Sequence, residues 1–239
     1  MPYGFFTVET PHNEVTYDYR PGSPERKQVE KVYKKMFSEN VKVPLYLGDE
    51  EVYTAETRPI RPPHDHQHIV GTYSVAQPEH VTRAIDNTLK AKARWTAISW
   101  EHRVSIFIKA ANLIAGPYRA IINAGTMIGQ SKNIFQAEID ATCESVDFLK
   151  FNAAFASQIY QQQPATGHGV FNRIEHRPLE GFTYAVTPFN FTAIACNLTS
   201  CMAMMGNVVV WKPSDHQMYT AKILMDIFKE AGLPDGVIT

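Results

Sequence analysis

The sequence predicts an α/β protein: a helical amino-terminal region leading into the start of a parallel sheet. Three observations carry this. Apolar residues recur at helical spacing through most of residues 23–161. The period changes after "QQQPATGHG", 161–169, where short apolar runs begin to alternate with helical stretches. Two of those runs, in "AVTPFNFTAIACN" (185–197) and "GNVVVWKPSD" (206–215), are each followed by a polar side chain, Asn190 and Lys212.

Taken in order, residues 1–22 lack periodicity and read as an extended arm. "SPERKQVEKVYKKM" opens a helix, with Ser23 as N-cap, Pro24 at the first position and Glu25 next. From 41 to 76 short strands and turns are expected, because "RPIRPPHDHQH" is too rich in proline for a helix. Pro78 opens a helix to about Ile98, with Val81, Ala84, Ile85, Thr88, Leu89 and Trp95 on one face. A second helix carries Val104, Phe107, Ile108, Ala111 and Ile114, and a third covers roughly 118–128. The longest is expected from about Lys132 to Gln161. Beyond it, "VFNRIEH", "FTYAVT" and "NVVVW" read as strands, 192–205 and 217–231 as helices, and "GVIT" as the start of one more strand. Strand–helix–strand–helix–strand implies parallel pairing with helical crossovers. The expected division is an arm (1–22), a helix-rich part (23–165) and a first βαβ part of the sheet (166–239).

Composition excludes several classes. Hydrophobic content of 44% and charged content of 20% fit a globular chain. A net charge of −1, with scattered Lys and Arg, gives no field for nucleic acid or an anionic membrane. No apolar run approaches the ~18 residues of a membrane span. Cys143, Cys196 and Cys201 make no disulfide framework and read as buried small side chains. The first nineteen residues hold no Lys or Arg, which matches neither a signal peptide nor an Arg-rich presequence.

If 182–187 and 207–211 are parallel strands, their carboxyl ends share one edge, where open α/β sheets bind ligands. Asn190 and Lys212 would then face one cleft. Asn190 reads either as a turn residue or as an N–H donor to a developing oxyanion. Lys212 reads either as a lysine snorkelling from a buried strand or as a donor to ribose hydroxyls or a phosphate. The G-x-G-x-x-G fingerprint is absent. On the long helix Glu144, Phe148, Phe151 and Phe155 form one stripe. A carboxylate there needs a partner, lies at an exposed stripe edge, or is neutralised. His64, His66 and His68 alternate, and a strand would align them as a metal site. Pro62 and Pro63 beside them favour a solvated loop, with no metal.

"TPFNFTAI", "GNVVVWKPSD" and "KEAGLPDGV" resemble the coenzyme-binding region of the aldehyde dehydrogenase superfamily. "GSPER", "GDEEV", "QAEIDA", "DFLKFNA" and "LEGF" narrow the resemblance to the branch that oxidises L-glutamate γ-semialdehyde in proline catabolism. It runs from about residue 20 to the end. It implies an aldehyde-dehydrogenase-like fold with an incomplete Rossmann-like sheet, NAD as coenzyme and a dimer-based homo-oligomer. It implies a mitochondrial matrix location in a eukaryote and the cytoplasm otherwise. Asn190 matches the family's oxyanion-hole asparagine, with the neighbouring proline and aromatics expected to rigidify and desolvate it. Lys212 matches the lysine that holds the adenosine ribose. Thr187 matches a position whose main chain meets the coenzyme, and Phe191 an aromatic beside the substrate's aliphatic chain. Glu144 matches a carboxylate facing the substrate's amino-acid end. The family's nucleophilic cysteine and glutamate base fall beyond Thr239, and no cysteine here matches that nucleophile. The chain is therefore expected to be the amino-terminal part of a longer enzyme, inactive alone. The alternative is a short non-catalytic module that binds nucleotide or a full-length partner. A reading frame that continues past Thr239 separates the two.

Overall fold

The computed structural model describes residues 6–239. The first five residues of the expected arm therefore lie outside the described residues. Helix α1 spans Pro24–Ser38, and the Ser23 hydroxyl accepts from the Arg26 N–H as an N-cap should. Five short strands follow: β1 Val41–Val43, β2 Leu45–Leu47, β3 Glu50–Val52, β4 Thr57–Ile60 and β5 Gly71–Ser74. Strands β1, β5 and β4 form a mixed sheet in that order, while β2 and β3 form a hairpin. The hairpin turn needs positive φ at Gly48, which is 74°.

Helices α2 (Pro78–Ala97), α3 (Trp100–Ala115) and α4 (Arg119–Gln130) come next. On α2, Ala84, Thr88 and Trp95 are buried, but Val81 and Leu89 are exposed, contrary to expectation. Val81 sits in the first turn at a cavity rim, and Leu89 lies about 120° round the helix from the centre of the buried stripe. The long helix begins at Ile134 rather than Lys132 and is not α-helical throughout. It comprises α5 (Ile134–Ala137), a π-helical segment (Glu138–Glu144) and α6 (Ser145–Gln161). The core-facing side of α6 carries Val146, Leu149, Ala153 and Ala156, whereas Phe148 and Phe151 are half-buried and Phe155 exposed.

The parallel unit forms as expected, with slightly shifted ends. Strands β6 (Thr183–Val186) and β7 (Val209–Lys212) are joined by α7 (Thr192–Met204), and α8 (Met218–Ala231) leads away from β7. Gly206, at φ 90°, turns the chain from α7 towards β7. Thr183 pairs with Val209 and Val186 with Lys212. "GVIT" joins on the other side of β7: Thr239 N–H donates to Val209 O at 3.0 Å and Trp211 N–H to Thr239 O at 2.8 Å.

"VFNRIEH" is not a strand. Its backbone meets no partner strand among the described residues. Ile174 is held instead by the Gln163 side chain, which accepts from its N–H at 2.8 Å, and Phe171 is 82% exposed. Alternation in sequence supplies two faces but no neighbour to pair with.

The apolar core runs without interruption from Tyr19 to Ile238, so helices from before residue 165 pack with the sheet that follows it. Trp95, fully buried, donates its indole N–H to Ala203 O at 2.9 Å. The described part of the arm has no regular structure but is pinned. Glu138, at 0% exposure, receives the Tyr17 N–H, the Tyr19 hydroxyl, the Asn123 amide and the Arg119 guanidinium. Arg119 also binds Glu14 at 2.8 Å and lies 3.7 Å from the Tyr17 ring centre. Tyr19 adopts φ 48°, uncommon for a large side chain, and its buried hydroxyl bonds account for its retention. Among the described residues no helix is long and apolar enough to cross a membrane.

Candidate active-site edge

The pairing of Val186 with Lys212 puts the carboxyl ends of β6 and β7 on one edge. Between β6 and α7 lies the turn 187–191. Its first residue, Thr187, is buried and tied down: Trp211 Nε1–H donates to its Oγ1 at 2.9 Å, and that hydroxyl donates to Gln217 Oε1 at 3.3 Å. Gln217 then donates to Phe191 O at 3.0 Å. The far end of the turn is held by Asp140, whose carboxylate accepts the N–H groups of Thr192 and Ala193 at 3.3 and 3.4 Å. Thr192 Oγ1 accepts from Gln130 at 2.7 Å.

Asn190 therefore sits between two anchored ends, yet it is exposed, and its own side chain has no hydrogen bond among the described residues. The expectation that aromatics desolvate it is corrected: Phe189 and Phe191 are themselves exposed. Rigidity here comes from backbone anchoring rather than from a surrounding ring of apolar groups. Asn190 does lie in a turn, as the turn-residue reading expects, but the N-cap of α7 is Phe191, so Asn190 does not cap the helix.

Phe191 has a second neighbour. The Lys132 ammonium lies 4.3 Å from its ring centre and 2.6 Å from Asp140 Oδ2. Glu144 belongs to the same cluster. It is half-buried, and burial pushes its pKa above the usual carboxylate range; Asp140 adds to the rise and Lys132 opposes it. No ion pair to Glu144 is found among the described residues, so the core-ion-pair reading has no partner. The structure thus brings Glu144, Phe191 and the Asn190 turn around one cationic group.

Lys212 lies apart from that cluster. It is exposed, with Asp215 at a loose 3.7 Å. It borders a cavity of about 200 Å³, whose walls include Val43, Tyr73, Val210 and Met218 but not Asn190. Asn190 and Lys212 share a sheet edge without sharing a cavity.

Burial raises the thiol of Cys143 to about 11 and that of Cys196 to about 12, and Cys201 is also raised. Cys143 and Cys196 are buried as expected, while Cys201 is only partly so. The histidine run lies in a loop. His64 and His68 both stack on Phe37, and His68 Nε2 meets Phe37 O at 2.6 Å. Among the described residues no group of three potential ligands could hold a metal.

Sequence reasoning missed Lys132, Asp140 and Gln217. The one available signal was two carboxylates, Glu138 and Asp140, flanked by Ala137 and Ala141. Positions two apart face nearly opposite ways on a helix. Both are buried because the π-helical segment packs against α4 on one side and α7 on the other.

Residues 52–239 match the model of the aldehyde dehydrogenase family. A Schizosaccharomyces pombe protein named probable delta-1-pyrroline-5-carboxylate dehydrogenase is 46% identical over 235 residues, 98% of this chain and 43% of that protein. The human mitochondrial delta-1-pyrroline-5-carboxylate dehydrogenase is 42% identical over 226 residues, 95% of this chain and 40% of its own length. The crystal structure of the Mycobacterium tuberculosis enzyme of that name, bound with NAD, superposes with a TM-score of 0.98 at 43% identity. It is covered over 44% of its length by 99% of this chain. The chain thus spans less than half the length of these relatives.

Proposed function

The chain belongs to the aldehyde dehydrogenase family, and on that premise we propose that a protein of full family length carrying it oxidises L-glutamate γ-semialdehyde to L-glutamate with NAD, in proline catabolism. The observation that carries this reading is Asn190: a carboxamide with no hydrogen bond among the described residues, in a turn anchored at both ends. Such a donor stabilises an oxyanion because it need not reorganise when charge develops. The thiolate that attacks the aldehyde and the base that activates water are not among these 239 residues. NAD, when bound, accepts the hydride. The residues present fit its ribose: Lys212 ends a strand with an exposed ammonium whose only ionic contact among the described residues is loose. The Thr187 backbone lies at the same edge. We assign Phe191 to the substrate's aliphatic chain and Glu144 to its α-ammonium. A dimer-based assembly and, in a eukaryote, the mitochondrial matrix complete the reading.

The direct test supplies the purified 239-residue chain, and separately the full-length protein, with NAD and L-glutamate γ-semialdehyde. The full-length protein should produce NADH and the chain alone should not. NADH formation that follows the short chain through purification overturns the assignment of nucleophile and base to residues outside it. An inactive full-length protein overturns the substrate.

Lys212→Ala in the full-length protein should raise KM for NAD about 10-fold, near the lower end of a charged hydrogen bond at about 1.5 kcal/mol. Its contacts lie far from the reacting carbon, so kcat should be largely kept. A normal KM with a collapsed kcat would show that the lysine acts elsewhere.

Glu144→Gln should lower kcat/KM for L-glutamate γ-semialdehyde by about 10–100-fold, or roughly 1.5–3 kcal/mol. A simple aliphatic aldehyde without the amino group should lose much less. Stability separates this from a structural role. A carboxyl whose folded pKa is raised binds more protons folded than unfolded, so its contribution falls as pH rises through that interval. Glu144→Gln should therefore leave stability unchanged in acid and not lower it at neutral pH. Equal losses for both aldehydes, with lower stability at pH 7, would return Glu144 to a structural part.

A further inference from the structure

We propose that Asp140, charge-balanced by Lys132, is a positioning residue for Asn190: it occupies the amino-terminal N–H groups of α7 and so leaves the Asn190 carboxamide free for ligand. This rests on the oxyanion reading of Asn190 given above.

The need for such a residue follows from the local sequence. A helix leaves its first N–H groups without partners, and a side-chain acceptor at the N-cap normally meets them. The N-cap of α7 is Phe191, which has no acceptor. Asn190, one residue earlier, is the nearest polar side chain in the turn, and asparagine readily folds back onto neighbouring backbone donors. A cap made by Asn190 would commit its carboxamide to the helix. Asp140 prevents this by supplying both oxygens from outside, Oδ2 to Thr192 N–H at 3.3 Å and Oδ1 to Ala193 N–H at 3.4 Å.

A buried carboxylate needs a counter-charge. Asp140 is almost fully buried, and Lys132 meets its Oδ2 at 2.6 Å. The same ammonium lies over the Phe191 ring, so one cation ties the carboxylate to the residue after Asn190. The π-helical segment accounts for how Asp140 reaches this place. π-helical turns are rare and concentrate at functional sites. This one holds Glu138 towards Arg119 and the arm while Asp140 points at α7. Gln217, at the start of α8, holds Phe191 O from the opposite side. Thr187, Gln217, Asp140 and Lys132 thus hold the two ends of the turn and leave the Asn190 side chain between them without a hydrogen bond among the described residues.

The test is a double-mutant cycle in the full-length protein, joined to hydrogen exchange on the 239-residue chain. Asp140→Asn should lower kcat about ten-fold and change KM for NAD less than about two-fold. On an Asn190→Ala background the same substitution should cost less than about two-fold, because its effect passes through the missing amide. In the chain, Asp140→Asn should speed exchange of the Thr192 and Ala193 amides by about ten-fold or more. Asp147→Asn is the control. Asp147 anchors the arm by accepting from Asn13 and from Glu14 N–H, each at 2.7 Å, and its loss should leave those two amides protected. If Asp140→Asn does not fold, Asp140→Asn with Lys132→Gln removes both charges together and is read in the same way. Equal kcat losses on both backgrounds overturn the proposal, and so does unchanged exchange at Thr192 and Ala193. If Asn190→Ala itself leaves kcat intact, the oxyanion reading fails. Exchange then decides alone whether Asp140 holds the turn.

Discussion

Arg119→Ala should destabilise the fold by about 3–5 kcal/mol, the range for breaking a buried ion pair from one side. Arg119 lies at the centre of a closed set of groups. Its guanidinium meets Glu138, Glu14 and the Tyr17 ring, and it also donates to Val15 O. Without it, Glu138 remains buried with only neutral donors. Burial pushes the Glu138 carboxyl up, but the Arg119, Tyr17, Tyr19 and Asn123 hydrogen bonds outweigh this and hold it below its ordinary value. A depressed carboxylate pKa contributes stability that is present above the unfolded value, about 4.3, and is lost as pH falls towards the folded one. Denaturant melts should therefore show the native chain losing stability with acid below that range. In Arg119→Ala that acid-linked loss should shrink or reverse, because burial is then unopposed by a full charge. The arm should also become sensitive to protease near residues 13–19, where its bonds to Asp147 and Glu138 end. A loss below about 1 kcal/mol, with an unchanged pH slope, would mean that water enters this cluster and that the pair is worth no more than a surface one.

Asn190→Ala should lower kcat of the full-length protein by about 10²–10³-fold, the usual loss for one oxyanion donor. KM for NAD should barely move, since the amide acts where charge develops and not on the coenzyme's ribose. Little structural cost is expected. The residue is exposed, and its side chain has no hydrogen bond to lose among the described residues. That separates the outcome from Arg119→Ala, where stability changes and the chemistry is remote. Steady-state rates with a thermal melt on the same sample check both halves. A kcat within a few-fold of the parent would reduce Asn190 to a turn residue. A large kcat loss with an equally large fall in melting temperature would give it a structural part that the geometry denies.

The contrast between Asn190 and Asp140 shows what was legible and why. Asn190 follows a strand pattern and a proline, so spacing places it at a sheet edge. Asp140 sits in a helical run where local pattern predicts one exposed face. Its value to the turn comes from α7, more than fifty residues further along the chain. Glu144 was recognisable on its stripe, but its lack of an ion partner depended on where Lys132 went, and Lys132 went to Asp140. Lys212 and Asn190 were given one edge, which the pairing of β6 with β7 bears out, whereas the cavity that Lys212 borders depends on remote residues such as Val43 and Tyr73 and does not include Asn190.

The elements whose stabilising contacts are local could be read along the chain. Ser23 and Pro24 start α1, the switch from helical to alternating period marks the βαβ unit, and Pro188 ends the extended run after β6. Caps, periodicity and proline act within a few residues, so they can be read along the chain. Packing between remote segments settled three things: that 170–176 finds no strand to pair with among the described residues, that the π-helical segment buries two carboxylates on opposite sides, and that Asn190 stays exposed while the backbone around it is held. Each depends on partners from remote segments. A strand without a neighbour, a buried charge without its counter-charge and a helix end without an acceptor all carry a free-energy cost that local pattern cannot report. The remote partner is what makes each arrangement stable or rules it out.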